Sequence, residues 1–377
     1  MTIYMDCNAT TPLEPAVGAV VRRYLEEEYG NAGSRTHEFG ARAKSAVATA
    51  RNQVAAAVSA EPTEVVFTSG ATESNNLAIL GLADALKERG LTHVISTALE
   101  HKAVLEPIDR LEAEGFRVDW LTPGLDGRIH ADQVLQRVSA ETGLVSVMHV
   151  NNETGVVNPI EAIAEGLRGQ QAFLHVDAAQ GFGKAPGLTS ARIDLISISG
   201  HKVYGPKGVG ALVARRRGLQ RPPLRPLMVG GGQERGLRPG TLPVHLIAGL
   251  GEASRLAVAH REERRVRCEE IKHLFLSGIA SVPHTVHGDT EHSVATTVNV
   301  SFHGADAEAA LVCLKGIVAI SNGAACTSSA YQYSHVLKAM GVPEKRMRES
   351  LRWSWSHLTP DPPMQAIVAA LRPLLRG

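Results

Sequence analysis

A lysine follows directly on a β-branched run in Ser197-Ile198-Ser199-Gly200-His201-Lys202. At a strand end facing a ligand crevice, such a lysine is either a Schiff-base nucleophile or a plain exposed cation. A carboxylate ends another apolar run, Phe173-Leu174-His175-Val176-Asp177-Ala178-Ala179-Gln180, and Asp177 lies 25 residues before Lys202. One strand–helix–strand unit fits between them, so both could open onto one crevice at the carboxyl ends of neighbouring strands. Pyridoxal phosphate needs this pair: a lysine for its aldehyde and an anion that keeps its ring nitrogen protonated. The competing role for Asp177 is as the cap of the following helix.

A phosphate needs a cradle. Thr68-Ser69-Gly70-Ala71-Thr72-Glu73-Ser74 offers a strand end, a glycine, and small residues that open a helix. Free amides and the helix dipole bind phosphate there, and Thr72 and Ser199 could add hydroxyl donors; the alternative is a plain capping motif. His101, in Glu100-His101-Lys102, follows another strand and could stack on a ring and move protons, or be structural. Asn152 and Gln180 could supply amides to a phenolic oxygen. Cys326 sits in Ser321-Asn322-Gly323-Ala324-Ala325-Cys326-Thr327-Ser328-Ser329, a small polar stretch that suits an accessible thiol. Cys313, in Leu311-Val312-Cys313-Leu314, reads as buried and inert, Cys268 as a residue of a charged helix that exposure would suit.

These residues require an α/β scaffold. Strands are expected at Glu64–Thr68, His93–Ser96, Arg117–Leu121, Leu144–His149, Phe173–Val176, Asp194–Ser199 and Gly210–Ala214, with helices between them. Helices are expected from Pro15 to about Tyr29, from Thr36 to about Ser59, at Thr72–Glu88 and at Ala103–Glu114. Beyond about Leu250 the pattern changes to one long charged helix, Glu252–Ile279. A strand Ala295–Phe302, a helix Asp306–Lys315, a strand Ile317–Ser321 and terminal helices then make a smaller α+β unit. The division expected is 13–250 for the large α/β domain, and 1–12 with 251–377 for the small domain. The Arg-rich stretch Arg215–Pro226 reads as a solvated surface loop, with a basic docking patch as the alternative.

Composition excludes several classes. With 377 residues, 39 Lys plus Arg against 38 Asp plus Glu, and 44% hydrophobic residues, the chain is an ordinary globular one. The charge balance argues against direct binding to nucleic acid or an anionic membrane. No apolar run approaches the roughly 18 residues of a membrane span, and the N-terminus has no signal-peptide pattern, so a cytoplasmic protein is expected. The four cysteines are dispersed without Cys-x-x-Cys spacing, and no metal site is expected.

The ordered motifs together resemble the cysteine desulfurases of the class V aminotransferase superfamily, in the branch with a long cysteine loop. The segments that carry the resemblance are Tyr4–Pro12, Gly30-Asn31 with Ser34-Arg35-Thr36-His37, Phe67–Asn76, Glu100–Lys102 and Met148–Gly155. His175–Gln180, Ser199–Gly208, Gly230–Pro243 and Ser321–Ser328 continue it. The resemblance implies the pyridoxal phosphate transferase fold type I, a mostly parallel seven-stranded sheet between helices. It makes Lys202 the Schiff-base lysine, Asp177 the partner of the ring nitrogen, and His101 the stacking imidazole. Gln180 and Asn152 would flank the phenolic oxygen, and Ala71, Thr72, Ser199 and His201 would bind phosphate. Thr241, in Arg238-Pro239-Gly240-Thr241, would reach the cofactor phosphate of a neighbouring subunit, which implies a homodimer. Arg352 would grip the substrate carboxylate, helped by Asn31. Cys326 would take sulfur from L-cysteine as a persulfide, release alanine, and pass the sulfur to an acceptor protein.

Asn31–Ser34 and Gln180–Gly183 resemble desulfurases of DNA phosphorothioation systems more than those of iron–sulfur cluster assembly; transfer RNA thiolation is a further pathway of such enzymes. Other readings are a selenocysteine lyase or transaminase on the same fold, and a non-catalytic sulfur-relay scaffold. The thiol of Cys326 argues against a plain transaminase, and the joint presence of Lys202, Asp177 and Cys326 against a scaffold.

Overall fold

The structure, a computed structural model, describes residues 2–322 and 333–375. The described residues hold twelve strands, beginning with β1 (Ile3–Tyr4), β2 (Val65–Thr68), β3 (His93–Thr97), β4 (Arg117–Leu121), β5 (Thr142–Ser146) and β6 (Phe173–Asp177). They continue with β7 (Leu195–Ser199), β8 (Gly210–Ala214), β9 (His284–His287), β10 (Thr297–Phe302), β11 (Val318–Ala319) and β12 (Ser350–Ser354). Seven of them form one sheet in the order β2-β8-β7-β6-β5-β3-β4. All neighbours are parallel except at β8, which runs against both β2 and β7. These are the seven strands read from the sequence, displaced by a few residues at the ends. Strands such as Leu195–Ser199 are buried along their whole length, as expected when helices cover both faces of a sheet.

A second hydrophobic cluster lies around the antiparallel sheet β12-β10-β9. Phe275 packs on Trp353 and Trp355 at centroid distances of 4.7 and 5.8 Å, and Met5 from the N-terminus joins them. The N-terminal β1 pairs in parallel with β11, so the first residues of the chain belong to this cluster. Val336, Leu337, Met340 and Val342 pack instead with the core of the large sheet.

Two helices expected as continuous are divided. The charged stretch breaks at His260, whose φ of −113° and ψ of 15° are not helical. Helix Val244–Ala259 buries its apolar face against the large sheet's core, whereas Arg261–Ile279 buries Ile271, Phe275 and Ile279 in the second cluster. One straight rod cannot serve both. The expected Thr72–Glu88 helix divides into Ala71–Leu80 and Ala83–Glu88; the Arg225 amide donates to the Gly81 carbonyl at the break.

The start of the Arg-rich stretch is built into the protein. Arg215 is buried and donates to the carbonyls of Ser59, Val58 and Leu188. Arg217 pairs with buried Asp194 at 2.7 Å, and Arg225 with Asp84 and Glu88. The guanidinium groups of Arg215 and Arg217 thus reach inward, while residues 218–221, 223, 225 and 226 are exposed, in keeping with the surface-loop reading. Among the described residues no helix is long and apolar enough to cross a membrane.

Helix Glu38–Ala57 crosses helix Val244–Ala259 closely at Gly251, where an added Cβ would stand 2.5 Å from Ala50 Cα. Gly251→Ala is expected to lower stability by about 1–3 kcal/mol, since backbone cannot yield as a side-chain tip can. An unchanged urea midpoint would show that the crossing has slack.

Candidate active site

The carboxyl ends of β3, β5, β6 and β7 open into one cavity of about 960 Å³. Lys202, Asp177, His101, Gln180, Asn152, Ala71, Thr72, Ser199, His201 and Arg352 all line it. Asn31 and Thr241 are exposed and do not line it in the single chain. Cys326 lies outside the described residues. Ser321, Tyr333 and Ser334, on the two sides of its segment, line the cavity.

Lys202 ends a tight turn, Gly200–Lys202, directly after β7. The turn is held by bonds from Val203 and Gly205 amides to the Gly200 carbonyl. Tyr204 follows with a left-handed φ of 64°, unusual for a bulky residue, and its amide is fixed by Thr11 Oγ1 at 3.0 Å. The Lys202 amine donates to the carbonyls of Asn8 and Ala9, the latter at 2.8 Å. Burial, then the nearby charges of Lys184 and Arg352, lower its pKa from 10.5 to about 7, with Asp6 and Asp177 opposing. The amine is thus substantially neutral and nucleophilic near neutral pH.

Asp177 sits at the end of β6 with both oxygens engaged. Asn75 Nδ2 donates to Oδ2 at 2.8 Å and the Ala179 amide to Oδ1 at 2.9 Å. Asn75 was not singled out from the sequence, though it follows Ala71 and Thr72 by one helical turn and so shares their face. The cradle is narrow: a Cβ on Gly210 would stand 2.6 Å from Gly70 Cα. At the start of helix Ala71–Leu80 the Ala71 and Thr72 amides lack intrahelical acceptors. Glu73 occupies the Ser69 amide at 2.7 Å, and Arg238 pairs with Glu73 at 2.9 Å.

His101 caps helix Lys102–Ala113 by accepting from the Ala103 amide at 3.1 Å through Nδ1. That bond assigns the proton to Nε2. Burial, with Lys202 and His335, lowers its pKa, against the pull of Asp177. His201 is pushed down to about 4 by burial and by Lys202, Lys207 and Lys184, so it offers a neutral N–H rather than a charge. Gln180 donates to the Asn8 carbonyl at 2.9 Å and accepts from Lys184 at 3.2 Å. Asn152 Oδ1 is buried without a partner among the described residues. Arg352 on β12 donates to Asp6 Oδ1 at 2.8 Å and to the Asn152 carbonyl at 3.2 Å.

The arrangement fits pyridoxal phosphate. A helix N-terminus and a close-packed glycine cradle stand ready for phosphate, an ionisable buried carboxylate for the ring nitrogen, and a low-pKa amine for the aldehyde. Two buried acids also went unread in the sequence. Glu100 accepts from the Met148 amide at 2.7 Å and Thr97 Oγ1 at 3.0 Å, and burial, with the nearby charge of Asp177, raises it to about 8. Glu153 accepts from Ser334 Oγ at 2.5 Å, fixing the residue that caps helix His335–Ala339.

Two expectations about cysteine are corrected. Cys313 is exposed, because helix Ala307–Leu314 turns Ala307, Ala310 and Leu314 inward and leaves Cys313 off that stripe. Cys268 is buried at 1% exposure, on the inward face of Arg261–Ile279.

Residues 3–356 match the family model of aminotransferase class-V. The chain is 44% identical over 365 residues to cysteine desulfurase IscS of Shewanella oneidensis, covering 96% of this chain and 89% of that one. The crystal structure of DndA from Streptomyces lividans is similar with a TM-score of 0.82 and 49% identity, over 94% of this chain and 99% of that one. A structure of SspA in complex with cysteine is similar with a TM-score of 0.82 and 37% identity, over 96% and 99% of the two chains.

Two outcomes follow from this geometry. Reduction of the apo protein with borohydride in the presence of pyridoxal phosphate is expected to label Lys202, with a labelling midpoint near pH 7; peptide mapping that finds Lys184 instead contradicts the assignment. Glu100 keeps its proton in the folded protein up to about pH 8 but loses it near 4.5 when unfolded, so stability falls as pH rises across that window. Glu100→Gln should flatten that fall in pH-dependent urea titrations, and an unaltered slope rules it out.

Proposed function

This chain belongs to the aminotransferase class-V family, and from that premise we propose that it is a cysteine desulfurase with pyridoxal 5′-phosphate as cofactor. It takes sulfur from L-cysteine, leaves L-alanine, and carries the sulfur as a persulfide on Cys326. The observation that carries this reading is the convergence, in one cavity, of Lys202, Asp177, the Ala71–Thr72 amides and Arg352, with both sides of the Cys326 segment on the same walls.

When bound, the cofactor draws electrons from the substrate carbons and weakens the carbon–sulfur bond. Helix amides at Ala71 and Thr72, with Ser199 and neutral His201, hold its phosphate. Asp177, fixed by Asn75 and Ala179, keeps the ring nitrogen protonated. Asn152 and Gln180 flank the phenolic oxygen, and His101 lies against the ring. Arg352 holds the substrate carboxylate by a charge-assisted pair whose fork geometry a lysine lacks. Lys202, displaced by the substrate amine, is a base at neutral pH and moves protons together with His101. The Cys326 thiolate attacks the substrate sulfur; the carbon keeps the bonding electrons and takes a proton, giving alanine. An unperturbed thiol of pKa ~8.5 is only a few per cent thiolate at pH 7, so its site must favour ionisation.

The wider assignments follow from the same reading. We assign the chain to a cytoplasmic homodimer in which Thr241 serves the neighbouring subunit's phosphate, and which hands sulfur to an acceptor protein. The likeness to DndA favours phosphorothioation over iron–sulfur or transfer RNA pathways. The proposed division into 13–250 and 1–12 with 251–377 follows the two hydrophobic clusters in part, since Ala253, Leu256 and Ala257, and Val336, Leu337, Met340 and Val342, pack with the large sheet's core.

Holoenzyme incubated with L-cysteine is expected to yield alanine, with added sulfur mapped to Cys326 by mass spectrometry. Cys326→Ser should lose sulfide release while keeping the cofactor's visible absorbance. Asp177→Asn should bind cofactor and lose most turnover. Sulfur mapped to Cys7, or full activity in Cys326→Ser, overturns the mechanism.

A further inference from the structure

Arg352 is not alone at its end of the cavity. Asp6 lines the same wall, and its Oδ1 accepts from Arg352 Nη2 at 2.8 Å, both side chains being mostly buried. Asp6 Oδ2 takes no hydrogen bond among the described residues. The carboxylate is positioned rigidly from both sides in sequence. Tyr4 Oη donates to the Asp6 carbonyl at 2.9 Å and to the Thr10 carbonyl at 3.0 Å, which braces the turn. The Cys7 amide donates to the Ser354 carbonyl and the Ser354 amide to the Met5 carbonyl, which clamps this segment along β12.

Asp6 is also within electrostatic reach of Lys202, whose amine its charge helps to protonate. Asp6 therefore acts on two basic groups: the guanidinium assigned to the substrate carboxylate, which it bonds, and the amine that the substrate amine must replace, which feels its charge. An α-amino acid in water carries its carboxylate and its ammonium on a single carbon. A site holding only Arg352 would accept any small thiol acid. A carboxylate beside that arginine offers the ammonium a charge-assisted bond and repels an anion that lacks one.

We propose that Asp6 is a specificity-determining residue that receives the α-ammonium of the incoming substrate on Oδ2, so that the Asp6–Arg352 pair reads the zwitterion as a whole. This rests on the reading of Arg352 as the carboxylate anchor of a cysteine desulfurase. The Asp6–Arg352 bond keeps the guanidinium in plane until substrate arrives.

The test compares wild-type and Asp6→Asn holoenzyme, with cofactor loading followed by visible absorbance. Two quantities are read: KM for L-cysteine, and Ki for 3-mercaptopropionate, which has the thiol and carboxylate without the amine. Loss of one charge-assisted bond should raise KM about tenfold or more. Ki should stay unchanged or fall, because a repelling charge is gone. An unchanged KM, or KM and Ki rising by the same factor, overturns the proposal; the second result would mean that Asp6 only braces Arg352. Should Asp6→Asn fail to load cofactor, Asp6→Glu serves, since it keeps the charge but shifts it: a raised KM with Ki unchanged is expected, and parallel change again overturns it. Wild-type enzyme that makes no alanine from L-cysteine would remove the underlying reading instead, which separates the two failures.

Discussion

An amine buried just past the carboxyl end of β7, inside a mostly parallel sheet, is the constraint around which this molecule is arranged. Lys202 must be dry enough to stay partly neutral and yet have its N–H groups satisfied. The sheet cannot do this, because β7 has ended and its neighbours are occupied. The acceptors come from the far end of the chain, as the carbonyls of Asn8 and Ala9. Asn8 then has to be fixed in turn. Its side chain donates to the Asn152 carbonyl and to Thr297 Oγ1 on β10, and its carbonyl also accepts from Gln180. A single N-terminal turn thereby ties the lysine, the loop after β5, and the second hydrophobic cluster into one rigid corner.

Electrostatics in that corner are arranged by exclusion as much as by pairing. Burial holds His175 at about 3 and His149 at about 4, so both are neutral hydrogen-bonding groups. His175 bridges Ser146 and Ser197 across neighbouring strands, two residues before Asp177 on the same strand face. The imidazole therefore stiffens the platform beneath the carboxylate without adding a charge that would compete with it. Glu100, protonated, does the same on the other side. Asp177 is left with both its oxygens held by Asn75 and Ala179 at the floor of the cavity.

The parts of this site that local pattern reveals are those that end buried strands. Asp177 and Lys202 close runs of β-branched residues, and Ala71–Thr72 open a helix after such a run, so type and position coincide. Asp6, Asn8 and Asn75 carry no such mark. Their roles come from pairings across 346, 194 and 102 residues, made by closure of the fold and not by any local period. The misread elements have a similar origin. Apolar neighbours around Cys313 suggested burial, but the helix has only one inward stripe. The inward grip of Arg215 and Arg217 leaves no local mark either, because its acceptors, the carbonyls of Val58 and Leu188 and the carboxylate of Asp194, lie far away in sequence.

The same long closures set the order in which the protein can assemble. The β2–β8 edge joins residues nearly a hundred and fifty positions apart, and the Asp6–Arg352 contact spans almost the whole polypeptide. Contacts of this kind carry the largest loop-closure entropy and form after local helices and adjacent βαβ units. On a ribosome, the large sheet can be complete once β8 has emerged, while the Tyr4–Thr10 turn still has no β12 to lie along. A nascent chain in that condition has the strand ends that carry Lys202 and Asp177 without the corner that satisfies the amine and selects the substrate. Competence to discriminate is thus acquired last, when the two ends of the chain meet.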